Sequence, residues 1–462
     1  MGYLDIDTRI GRRLNKLRDA ARTFGEEVVR PAGIALDKFQ DPSDVINKNS
    51  VLWDVFRGYR EHDFHKLMIP RAFGGTMGRY PSIALPMVNE QMGYADGGLA
   101  ISLLVSSMPF IFALMSPEAK IRDWARAYAA DKNASMIGCW AITEPAHGTD
   151  WILGVSKAGG DPRLAPSLTA VKKGDEYILN GWKSAWVSNG TIATHALLHV
   201  GIEQSMGIHG SGIALCPLDL PGISKGAPLD KMGQRALNQG EIIFEEVKLN
   251  KKYMLLNIPG IFGANAFGHT FLGIANSTMG STFSGQAKAS LDEALKFVKT
   301  NERDGKPLSE QPDIKIKMFR MFAKVESTRL FSLRVANHFL SRFSGPFMSA
   351  GTSFRMTFWM IGKALQTYAS LNENHEFIRN FTKRFTHPEH AGELMDWGKY
   401  GVGSKINATE TAYQVAKEAF EIFGEKAHVK DYPIEKMLRD ARASTIEDGI
   451  NDSLALASFE GL

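Results

Sequence analysis

The sequence predicts an α+β chain: a helical N-terminal region, a central β region and a helical C-terminal region. Three observations predict it. Apolar residues recur at helical spacing from the start to about residue 134 and again after about 250. Between them, short β-branched and aromatic runs alternate with Gly and Asp turns. At 462 residues and 44% hydrophobic, the chain can bury a large core across two or three structural units.

In the first region Leu14, Leu17, Ala21, Phe24 and Val28 fall near one helix face, and Pro31 is expected to close that segment. Lys48 to Asp63 and Ser82 to Tyr94 repeat the pattern. Leu99 to Met115 is apolar but short and holds three serines and Pro109, so it reads as a buried helix and not a membrane span. Expected strands are Leu168 to Val171, Glu176 to Leu179, Ala196 to Val200, Gly212 to Leu215 and Ile242 to Phe244. Lys173-Gly174-Asp175, Asn180-Gly181 and Pro221-Gly222 separate them. In the last region Met318, Phe322 and Val325 share a face. Ala408, Ala412, Val415, Ala419 and Ile422 follow one helical stripe, with Gly424 as a C-cap. The domain boundaries read as 1–134, 135–250 and 251–462.

Composition excludes several classes. A net charge of +4, spread along the chain, does not call for nucleic acid. Two cysteines, Cys139 and Cys216, make neither a disulfide framework nor a metal site and fit a reducing compartment. The N-terminus lacks an apolar signal core, so a cytoplasmic location is expected. His387 and His390 have HxxH spacing without a third ligand nearby, so no metal is expected.

Two stretches stand apart. Trp140 to Asp150 runs Trp-Ala-Ile-Thr-Glu-Pro-Ala-His-Gly-Thr-Asp. Pro145 removes a donor and fixes φ, Gly148 frees the backbone, and Thr143 and Thr149 place hydroxyls on either side of the turn. Asn180 to Gly190 sets Trp186 beside Ser188. Each alone reads equally well as a surface turn between strands.

Together they resemble the flavin-binding strands of the acyl-CoA dehydrogenase family, Thr-Glu-Pro-x-x-Gly-Ser-Asp and Lys-x-Trp-Ile-(Ser/Thr)-Asn. Residues 66–75 resemble the family's IPxxxGG turn, 90–97 its first acidic helix, and 231–244 its second-sheet signature. Residues 303–311 resemble the helix start that reaches a neighbouring subunit, and 422–442 the end of the last helix pair. The resemblance implies FAD between a β-barrel-like middle domain and a C-terminal four-helix bundle. By position, Trp140, Ile142, Thr143, Gly148, Thr149, Trp186 and Ser188 would bind the flavin, Arg303 and Gly424 its pyrophosphate side, and Thr149, Asn276 and Gly449 the substrate. Trp186 would cover one ring face, against its plainer reading as core packing.

The family's chemistry is α,β-dehydrogenation of an acyl-CoA: a carboxylate takes the α-proton and the β-hydrogen leaves as hydride to flavin N5. Counting without gaps from Arg439-Asp440-Ala441, Asp448 occupies the base position usually held by Glu, and Glu447 a position that is often aromatic. Some alicyclic acyl-CoA dehydrogenases and nitroalkane oxidases use Asp there. Asp448 is therefore the expected base and Glu447 the second choice; both could instead cap a helix start or face solvent. Asn301 to Gly305 and Glu421 to Glu425 depart from the pyrophosphate motifs, and residues 343–396 read as an insertion adding helices, for oligomer packing or as a lid. The expected partners are an acyl-CoA with an unusual acyl group, an electron-transferring flavoprotein, and further copies in a homodimer or homotetramer. Two alternatives stand beside the dehydrogenase: an acyl-CoA or nitroalkane oxidase, and a non-catalytic assembly member.

Overall fold

The computed structural model describes residues 11–151, 160–257, 265–349, 388–430 and 432–459. The first helical layer starts with α1 (Arg12–Phe24), where Leu14, Leu17, Ala21 and Phe24 are buried. Pro31 does not close this segment. A π-helical turn at Gly25–Val29 leads straight into α2 (Arg30–Asp37), and Pro31 sits in its first turn, where a missing N–H costs least. α3 (Leu52–Glu61) and α4 (Ala84–Ala95) follow. The apolar run from Leu99 is two helices rather than one, α5 (Gly97–Val105) and α6 (Met108–Ala113), parted at Ser106 and Ser107. Pro109 belongs to the first turn of the second. α7 (Ala119–Ala130) completes the layer. Among the described residues no helix is long and apolar enough to cross a membrane.

The middle of the chain forms an eight-stranded sheet. Its strands are β1 (Gly138–Ala141), β2 (Thr169–Lys173), β3 (Glu176–Lys183), β4 (His195–Gly201), β5 (Ser211–Pro217), β6 (Ile223–Lys225), β7 (Ile242–Asn250) and β8 (Met254–Leu256). The path is β6-β7-β3-β2-β4-β5-β8. β1 and β2 share one side of β4, β1 parallel to its start and β2 at Gly201. The five strands expected from their apolar runs are present; β6 and β8 are too short to show a period, and β1 opens the stretch that resembles a flavin-binding strand. A bulge between β3 and β7 turns on Glu246, whose φ is 51°. The Asn180 amide bonds both the Glu246 N–H (2.8 Å) and its carboxylate (2.6 Å), and so holds the bulge.

The C-terminal helices are α8 (Asn265–Thr300), α9 (Pro312–Ser349), α10 (Pro388–Phe423), α11 (Ile434–Ser444) and α12 (Asn451–Phe459). A short hairpin, β9 (Glu302–Arg303) with β10 (Lys306–Pro307), links the first two. α8 packs on α10, α9 and α4, so the N-terminal layer and the bundle share a helix. The backbones of α8 and α10 come very close: a Cβ on Gly401 would lie 2.3 Å from the Gly273 carbonyl oxygen. Ala408, Ala412, Val415 and Ala419 are buried as expected, and Gly424 takes a φ of 58° where α10 ends. Phe322 departs from the expected face of Met318 and Val325; it is exposed on α9 with Phe319, Ile316 and Leu330. Most of the expected insertion, 343–396, lies outside the described residues, as does His387 of the HxxH pair.

Candidate active site

β1 ends at Ala141 and delivers the Thr-Glu-Pro loop to the end of β3. The anchor is Glu144. Its carboxylate pairs with Lys183 at 2.6 Å, both side chains fully buried. It also accepts from the Ser167 N–H (2.6 Å), the Ser167 hydroxyl and the Leu168 N–H (3.2 Å). Lys183 donates in addition to the Ile142 carbonyl at 3.2 Å. Burial holds the Lys183 ammonium below its ordinary pKa, and Glu144 opposes that. The Thr143 carbonyl accepts from the Ser184 N–H at 3.0 Å, so the loop and the Trp186 segment are laced together.

That lacing leaves an indole in the open. Trp186 is 54% exposed, outside the sheet's apolar core. Ile142, Thr143, Gly148, Thr149 and Ser188 are half-buried around the same loops. Gln239 donates to the Trp186 carbonyl (3.0 Å) and the Ser188 hydroxyl (3.2 Å). Asn189, fully buried at φ 62°, ties the segment to α5 through the Ser102 carbonyl (2.8 Å) and hydroxyl (2.6 Å). On the far side of the loop, Asp150 accepts from the Gly148 N–H at 2.6 Å and meets the His147 ring at 2.7 Å.

The carboxylates approach from α11. After Ser444 the chain turns through Thr445 to Gly449, with Asp448 at φ 47° and Gly449 at φ 104°. Gly449 takes its φ freely, but a left-handed Asp448 is strained, and such strain gathers at functional positions. Glu447 turns inward. Its carboxylate accepts from the Gln234 amide at 3.0 Å, and Gln234 is itself fixed to Asp440 through its backbone N–H (2.5 Å). Burial raises Glu447 to about 7, against the Gln234 hydrogen bond and the Lys231 charge. Asp448 keeps exposed surface and has no hydrogen-bond or ion-pair partner among the described residues. Protein crowds the rest of its turn, and this desolvation raises its proton affinity, opposed by Lys405. The two halves of the site then meet: the Ile450 N–H donates to the Thr149 hydroxyl at 3.4 Å.

Family models match nearly the whole chain: acyl-CoA dehydrogenase N-terminal domain over 13–132, middle domain over 139–247, and C-terminal domain over 268–346 and 366–459. The chain belongs to the acyl-CoA dehydrogenase family. Short-chain specific acyl-CoA dehydrogenase of Rattus norvegicus is 25% identical over 440 residues, 94% of this chain and 86% of that protein. Cyclohex-1-ene-1-carbonyl-CoA dehydrogenase of Geobacter metallireducens is 24% identical over 426 residues, 88% of this chain and 90% of that protein. A nitroalkane oxidase, solved as an active-site Asp-to-Asn mutant with 1-nitrooctane, shares the fold at a TM-score of 0.76. It is 15% identical, covering 98% of this chain and 96% of that one.

Acyl-CoA dehydrogenases are FAD flavoproteins, and an exposed indole ringed by half-buried hydroxyls suits a flat aromatic ring with a polar edge. Several sequence-expected residues sit elsewhere. Trp140 precedes the cluster in β1. In β1 it alternates with Cys139 and Ala141, which face the sheet core, so its indole turns to the opposite face and donates to His199 at 3.1 Å. Asn276 is fully buried in α8. Arg303 stands on the exposed β9–β10 hairpin and pairs with Asp313 at 2.8 Å. Gly424 has open space where a Cβ would be. Sequence reasoning missed Gln234, which holds Glu447, and Lys405, which is fully buried under the turn. For Lys405 a signal existed: it sits three residues before Ala408 on an otherwise apolar stripe.

Proposed function

We propose that this acyl-CoA dehydrogenase family member removes the α- and β-hydrogens of a CoA thioester, with Asp448 as the base. The observation that carries the reading is the contact of Thr149 with Ile450, which sets the Thr143–Trp186 cluster against the Asp448 turn. Bound FAD would accept the β-hydrogen as hydride. Ile142, Thr143, Gly148, Thr149, Trp186 and Ser188 would hold its ring. Arg303 and Gly424 would serve the pyrophosphate side, where Arg303 has to exchange Asp313 for phosphate or reach another subunit.

The α-proton of a thioester is weakly acidic, so its acceptor must be unpaired and poorly solvated. Asp448 is unpaired among the described residues and its proton affinity is raised by the crowded turn, whereas Glu447 already accepts from Gln234. Asp is one methylene shorter than Glu, so the acyl group must lie closer to the turn, beside Gly449 and Thr149. A rigid ring or branched chain would do so, and the Geobacter metallireducens relative is by name an alicyclic acyl-CoA dehydrogenase. Its electrons would pass to an electron-transferring flavoprotein. The exposed apolar face of α9 supports a homodimer or homotetramer. An Asp at the base position also favours a second reading, nitroalkane oxidation, since the nitroalkane oxidase neighbour carries an active-site aspartate.

The test is anaerobic mixing of the purified yellow protein with butyryl-CoA, cyclohex-1-ene-1-carbonyl-CoA and 1-nitrooctane. Rapid loss of flavin absorbance with a thioester supports dehydrogenation. Bleaching by the nitroalkane alone supports the second reading. A protein that binds FAD and is bleached by none of them, or that binds no FAD, contradicts both.

A further inference from the structure

We propose that Lys405 is a positioning residue of this reaction: its buried ammonium clamps the Asp448 turn from below and supplies the cation that the Asp448 carboxylate faces. The inference rests on Asp448 being the base. Lys405 has no exposed surface, on the face of α10 that carries Ala408 and Ala412. Its Nζ donates to the Gly449 carbonyl at 2.8 Å, the Asn451 side-chain oxygen at 2.7 Å and the Thr445 carbonyl at 3.5 Å. An ammonium has three N–H donors. All three are spent on this turn: on Gly449, one of its two left-handed residues beside Asp448, and on Thr445 and Asn451 to either side. The socket is itself built: Asn451 donates to the Thr409 hydroxyl at 3.1 Å, and that hydroxyl donates to the Lys405 carbonyl at 2.9 Å.

No carboxylate touches Lys405 among the described residues. A buried cation held only by neutral oxygens is costly, and a methionine in the same channel would shed that cost but leave the Gly449, Thr445 and Asn451 acceptors without their donor. The ammonium thus holds the turn through three acceptors and also places a positive charge near it. The acidic groups facing Lys405 are Asp448 and Glu447 from the turn and Glu410 from α10 itself. Burial lowers the ammonium to about 8, and those three carboxylates hold it up. In return Lys405 is the charge that opposes the desolvation of Asp448. A neutral residue at 405 must leave the Asp448 carboxyl harder to ionise and its left-handed turn unclamped.

The experiment labels the holoenzyme with 13C-carboxyl aspartate and assigns the Asp448 resonance as the one missing from Asp448→Asn. Its titration is followed in wild type, Lys405→Met, Lys405→Gln and Lys405→Arg, with circular dichroism reporting folding. The expected result is a midpoint raised by about one pH unit or more in the neutral variants and returned toward wild type by arginine. Flavin reduction by the best thioester should slow by about 10–100-fold in the neutral variants. Either neutral variant suffices if the other does not fold. An unmoved midpoint overturns the proposal, because a purely structural lysine would change stability and leave the carboxyl alone. The titration needs no turnover, so it is independent of the base assignment. If Asp448→Asn still reduces its flavin at the wild-type rate, the reading of Asp448 as base fails separately.

Discussion

The backbone N–H of Ile450 donates to the hydroxyl of Thr149 at 3.4 Å, across 301 residues of sequence. This contact brings the end of β1 and the end of α11 to one place. Two buried groups stand behind it, Glu144 with Lys183 at the loop and Lys405 at the turn. Each support can be removed by itself.

Glu144→Gln and Lys183→Met each strand one member of a fully buried ion pair. Losing one partner of such a pair costs about 3–5 kcal/mol. Chemical denaturation should show that loss in each single variant, with the double variant recovering part of it. A loss below about 1 kcal/mol in both would mean that the pair does not hold the loop.

Trp186→Ala removes an indole whose exposed face is not part of any core. Global stability should change little, while the protein should shed FAD on dilution or desalting and regain colour only in excess FAD. Wild-type flavin retention would place the ring away from Trp186.

Glu447 carries a pH signature. Its folded pKa is raised from 4.5 to about 7, so the native state holds its proton more tightly than the unfolded chain. That contribution is fully present below 4.5 and is lost as pH rises through 7. Glutamine keeps the contact with Gln234 and cannot ionise. The melting temperature of Glu447→Gln should therefore match wild type near pH 4.5 and rise above it as pH approaches 8. A difference that does not vary with pH contradicts the burial of this carboxyl.

Much of this was legible in the sequence. The strand runs, the apolar stripe of α10 and the two motif loops stood where residue order and spacing put them, because period and turn chemistry are local. What was not legible depended on distant partners. Pro31 was read as a stop, yet the turn before it is π-helical and feeds it into a first helical turn. The bond of Trp140 to His199 joins residues 59 apart, which no local pattern shows. Gln234 and Lys405 become meaningful only once the second-sheet segment and α10 are folded against the Asp448 turn. Phe322 is exposed on α9 beside Phe319, which the helical period alone does not show.

That exposure gives a further prediction. Ile316, Phe319, Phe322 and Leu330 form an exposed apolar face on α9. Light scattering at micromolar concentration should give a dimer or tetramer, and Phe319→Asp should shift it toward smaller species. A wild-type monomer would contradict the oligomer.

The most direct measurement is anaerobic flavin bleaching by the best thioester in Asp448→Asn and Glu447→Gln, side by side. Removing a positioned proton acceptor costs about 10²–10⁴-fold in rate. Asp448→Asn should lose that much while remaining yellow and folded, and Glu447→Gln should slow only mildly. The reverse order would make Glu447 the base, and undiminished bleaching in both would remove the Asp448 turn from the chemistry altogether.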